Sequence, residues 1–168
     1  MNEVLLKAAE IRSAIQHSDL EKVVALIEAD LATLQMMTPF GTWLHLAATA
    51  GTIDIVKYLV DAGIEVNTRG GTFKGSAINL AASNGHIEIV RYLLEQGAEM
   101  DVSEPERNPL FAAIYGGNLA VVELLVSSGI DYCVKYTGES MTNMDAIAFA
   151  YERGQKEIAD YLLEVGCR

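Results

Sequence analysis

Apolar residues return along this chain at the three-to-four residue spacing of helices, and a glycine interrupts them at regular intervals. The stretch from Thr42 to Asn67, TWLHLAATAGTIDIVKYLVDAGIEVN, shows the unit most plainly. Before Gly51, Leu44 and Ala47 or Ala48 share one helical face; after it, Ile53, Val56, Leu59 and Val60 form a second apolar stripe. Thr42 stands where an N-cap hydroxyl accepts a bond from a helix N–H, and Gly63 where a left-handed residue ends the second helix. Each predicted helix is about two or three turns long, too short to be stable alone in water, so neighbouring units must supply its burial.

The unit recurs. Gly85, Gly117 and Gly154 repeat Gly51, and Ser18 fills the same slot upstream, at spacings of 33, 34, 32 and 37 residues. Four residues before each stands an alanine: Ala14, Ala47, Ala81, Ala113 and Ala150. Nine before, in the last four units, stands an N-cap former: Thr42, Ser76, Asn108 or Asp145. Different residues with one capping chemistry are what a shared backbone imposes. A period near 33 with paired helices predicts a single all-α repeat solenoid of five stacked helix-turn-helix units. Their boundaries fall at 2–36, 37–70, 71–103, 104–138 and 139–168. Asn2 is placed to cap a lengthened first helix, and Lys156 puts a charge in a slot held by Leu20, Ile53, Ile87 and Leu119, as suits an exposed closing unit.

The run T-x-L-H-L-A-A-x-x-G-x-x-D-I-V-x-Y-L-V-x-x-G at Thr42 to Gly63 resembles an ankyrin repeat, as do the runs through Gly85-His86 and through Gly117, where Pro109 opens a helix. The resemblance covers nearly the whole chain. It implies stacked helix pairs with hairpin-like fingers, and a concave face built from the fingers and the exposed ends of first helices. Carried over by slot, that face takes in Thr49, Ser83, Asn84, Tyr115, Glu152 and Arg153, with Tyr115 as the aromatic anchor. His45 and His86 fall in the family's structural slots. Trp43 takes the slot usually held by proline, where it is either core or a part-exposed anchor.

The links between units differ. Residues 31–41 bring Phe40 to a segment that should face water. In residues 64–75, Gly70-Gly71 turns the chain and places Phe73 and Lys74 near the tip. Residues 98–107 are acidic. Residues 130–144 form the longest link, 15 residues against 11, 12 and 10, and offer Tyr136 and Met141 in the mixed aromatic and polar composition enriched at contacts. The expectation is a contact loop whose shortening over 135–141 leaves stability unchanged.

Net charge is −11, spread without a basic patch, so nucleic acid is a poor partner; either solubility or attraction of a basic protein explains it. No segment reaches the roughly 18 unbroken apolar residues of a membrane span, and the N-terminus lacks the apolar core of a secretory signal. Cys133 and Cys167, in non-equivalent positions, are expected to be reduced thiols in a cytoplasmic protein. No Cys or His pair has metal-ligand spacing, no cofactor motif is present, and acids and nucleophiles do not converge. Catalysis is therefore not expected. The expected work is protein binding by a free monomer. First choice is a dedicated inhibitor of one toxin or enzyme, as in small ankyrin-type immunity proteins; the alternative is an adaptor joining two proteins.

Overall fold

The computed structural model describes residues 3–71, 74–138 and 141–166. Its contacts divide the chain into two compact units, residues 1–77 and 78–168. The proposed cap at Asn2 lies outside the described residues.

In the first unit, α1 (Glu3–Gln16), α2 (Leu20–Glu28), α3 (Trp43–Ala50) and α4 (Ile53–Asp61) form two consecutive pairs. Helix α1 packs on α2 and α3, α3 on α4, and α2 on α4. Ile11, Ile15, Ile27, Leu44, Ile55 and Leu59 make the core. Trp43 joins them fully buried, and its Nε1 donates to the Thr33 carbonyl at 2.7 Å, which satisfies its one polar atom. Of the two positions open to it, core is the one it takes.

In the second unit, α5 (Ala77–Ser83), α6 (Ile87–Glu95), α7 (Pro109–Tyr115), α8 (Leu119–Ser127), α9 (Ala146–Glu152) and α10 (Lys156–Val165) follow in order. Helix α7 packs on α8 and α9, α8 on α6 and α10, and α9 on α10. All five alanines of the recurring slot are buried, because a helix neighbour occupies the space where a larger side chain would go. The turn between paired helices requires a left-handed residue, at φ +78° for Gly51 and +71° for Gly117. Ser18 meets the same requirement at +57°, a strained choice for a residue with a side chain. Asp19, Asn108 and Asp145 cap α2, α7 and α9, accepting from the amides of Lys22, Leu110 and Ala148. Thr42 is the N-cap of α3 and forms a reciprocal capping box with His45, whose Nδ1 lies 2.9 Å from the Thr42 hydroxyl.

The fourth link departs from a plain loop. It holds a β-hairpin of β1 (Tyr136–Gly138) and β2 (Met141–Met144), antiparallel, with Tyr136 opposite Met144 and an irregular register beside it. Asn143, at φ +52°, donates its amide to Thr137 Oγ1, and Lys135 meets the Asp145 carboxylate at 3.6 Å. Nearby, the Tyr132 hydroxyl donates to the Gly166 carbonyl. Cys133 is disulfide-bonded, against the expectation of reduced thiols; the chain's other cysteine, Cys167, lies outside the described residues. No helix among the described residues is long and apolar enough to cross a membrane.

Candidate functional site

Within each unit, one first-helix slot fastens the next link. In the first unit it is His45. Nε2 faces the Gly75 carbonyl at 3.1 Å and must carry the proton, since a carbonyl only accepts. Nδ1 is then an acceptor, and the Thr42 amide donates to it at 3.2 Å. Burial holds the imidazole pKa below its ordinary value, with the Gly75 bond acting weakly the other way. The residue is neutral and structural, as its slot implied.

In the second unit Asn79 takes that slot, and its Nδ2 donates to the Arg107 carbonyl at 2.6 Å. The next occupant is Phe111. It lies edge-on to Tyr136 at 5.0 Å between ring centroids and stacks on Phe149 at 4.7 Å. The Tyr136 hydroxyl donates to the Val102 carbonyl at 2.8 Å and accepts from Asn108 Nδ2 at 3.0 Å. Burial raises the Tyr136 pKa, and Asp101, Asp131 and Glu106 raise it further, while the Asn108 bond opposes them.

Tyr136 is therefore only 8% exposed. It is a pin that holds the hairpin against α7, and it leaves the set of candidate contact residues. Aromatic composition in a long link reads equally as contact or as anchor. The deciding signal is Phe111, an aromatic in the slot of His45 and Asn79. Shortening 135–141 would remove Tyr136 and Lys135 together, so the expected neutrality of that change for stability is withdrawn.

The other candidates divide by unit. In the first, Phe40 is 54% exposed with the Arg12 guanidinium 6.0 Å from its ring centroid. Thr49 is exposed and donates to the His45 carbonyl, and Lys74 is exposed at φ +51°. Phe73 lies outside the described residues. In the second, Asn84 and Glu152 are exposed, while Ser83 and Met141 are partly covered. Tyr115 is 63% exposed, and the Arg153 guanidinium sits 5.1 Å from its ring centroid. The structure brings these two into contact. Phe149, which the sequence did not single out, completes the group: Arg153 also lies 5.0 Å from its ring.

Space around Tyr115 is set by the backbone. A Cβ on Gly116 would lie 2.0 Å from the Ser83 carbonyl oxygen, and that oxygen also accepts from Asn118 Nδ2 at 2.9 Å. The ends of α5 and α7 thus approach closely at Gly116, beside Tyr115. Among the described residues no group of three or more His, Cys, Asp or Glu side chains could hold a metal ion.

No curated protein matches the sequence. The family model for ankyrin repeats, in three copies, matches residues 44–136 and again 80–168. With most of its length matched, the chain belongs to the ankyrin repeat family and is a protein–protein interaction module.

Proposed function

We propose that this protein is a dedicated inhibitor that binds one partner protein through the exposed ends of its first helices and its links. The observation that carries the reading is Tyr115, a large aromatic left exposed at the end of a first helix. Around it, Asn84, Glu152 and Arg153 supply polar contacts, and in the first unit Phe40, Thr49 and Lys74 are available. Phe73 and Met141 stay in the set on the sequence alone.

Acidity supports an electrostatic approach by a basic protein such as a toxin or enzyme. The second unit carries 14 acidic against 6 basic residues and the first 9 against 6. Free monomer is the state we assign before binding. A cytoplasmic location rests on composition, and the disulfide at Cys133 weighs against it, because such bonds persist in oxidising compartments. Cys133 is expected to resist alkylation until a reductant is added.

The test is recovery of the partner by photo-cross-linking in the source cell, followed by assay of that partner with wild-type protein and Tyr115→Ala. Wild type is expected to silence it and Tyr115→Ala to lose at least about tenfold in affinity at an unchanged unfolding midpoint. A partner left fully active in the complex contradicts inhibition; a ternary complex with a second protein then establishes an adaptor.

A further inference from the structure

Among the described residues Arg153 is not ion-paired, in contrast to Arg107 and Lys135 of its unit. Arg107 meets the Glu104 carboxylate at 3.4 Å and Lys135 meets Asp145 at 3.6 Å. Among the described residues, the Arg153 guanidinium makes neither an ion pair nor a hydrogen bond. It rests instead on two aromatic rings, 5.1 Å from the centroid of Tyr115 and 5.0 Å from that of Phe149. Phe149 is fixed in turn by stacking on buried Phe111. Contact with ring faces restricts the guanidinium without using its N–H donors, and those donors form a planar fork matched to two carboxylate oxygens. Holding the fork in place beforehand removes part of the ordering cost that a free arginine bears on binding.

We infer that Arg153, braced by Tyr115 and Phe149, receives a carboxylate of the partner protein: an Asp or Glu side chain on an exposed segment, its stem lying against the Tyr115 ring. The inference rests on the reading of this face as the binding surface and adds its chemistry. Within a unit of net charge −8, long-range attraction favours a basic partner, while the local contact selects a segment that places one acid here. A lysine or arginine of the partner is refused at this point by Arg153 itself. Attraction over distance and selectivity at contact thus come from opposite charges on the same unit.

The test uses the full chain against a random-peptide phage library, with Arg153→Gln, Arg153→Lys and Tyr115→Ala as variants, each first checked for a wild-type unfolding midpoint. Selected peptides are expected to be enriched in Asp or Glu beside an apolar residue. Their affinity is expected to fall about tenfold or more with Arg153→Gln. Arg153→Lys, which keeps the charge but loses the fork, should recover only part of it. Enrichment in Lys or Arg overturns the inference. So does binding that Tyr115→Ala weakens and Arg153→Gln leaves intact, in which case the surface stands and only its chemistry is wrong. Peptides indifferent to both variants, or no enrichment at all, sink the surface and the inference together.

Discussion

The second and fourth links do the same structural task with different chemistry. Residues 64–75 are fastened by one imidazole, through His45 Nε2 to the Gly75 carbonyl. Residues 130–144 are fastened by rings and a hydroxyl: Phe111 edge-on to Tyr136, and Tyr136 bonded to Val102 and Asn108. Both anchors issue from the same slot of a first helix. One is a short polar tie through an imidazole whose pKa burial lowers; the other is a buried aromatic contact, its hydroxyl pKa raised by burial, that can hold a hairpin. A repeat scaffold can thus vary its links freely as long as this one position is matched to each.

If that comparison holds, Phe111→Ala has the largest effect. It removes the contacts to Tyr136 and Phe149 together, and urea unfolding should show a loss of about 3–5 kcal/mol. A loss below about 1 kcal/mol would show that the aromatic contact does not hold the hairpin. Next comes Tyr136→Phe, which keeps the ring and leaves the Val102 carbonyl and Asn108 Nδ2 without their partner. The expected cost is about 1–3 kcal/mol by the same measurement, and a neutral result would place the anchoring in the rings alone.

The smallest effect concerns pH. Burial holds the folded-state pKa of His45 below the unfolded value of 6.5. Between those two values the unfolded chain binds more protons than the folded one, so stability falls as pH drops below 6.5 and is fully present above it. Protonation would also place an N–H on Nδ1 facing the Thr42 amide. His45→Asn should be less stable at pH 8 yet lose less on acidification than wild type. An identical acid slope in both would assign the pH dependence elsewhere. No such slope is expected from the Phe111–Tyr136 anchor.

The periodic features were legible from the residues: the turn between paired helices, even with Ser18 in it, the recurring alanine slot, and the caps at Asn108 and Asp145. They repeat, and repetition separates a backbone demand from chance. The anchor of the fourth link was not, because Tyr136 owes its burial to Asn108 and Phe111, 28 and 25 positions earlier and outside the link itself. Seen within its own link, it looked like a contact residue. The bond at Cys133 was not legible either, because nothing around that position repeats. At the surface, Tyr115 and Arg153 followed from slot equivalence, whereas Phe149 fills a slot that is Ser13, Leu46, Leu80 or Ala112 elsewhere, so nothing repeated to mark it.

The most direct test is a photoreactive phenylalanine analogue placed at Tyr115, on α7, or at Glu123, an exposed position on α8, each in the source cell. A covalent adduct with one protein from position 115 and none from 123 is the expected result. The reverse pattern, with the adduct at 123 alone, would contradict binding through the first-helix ends.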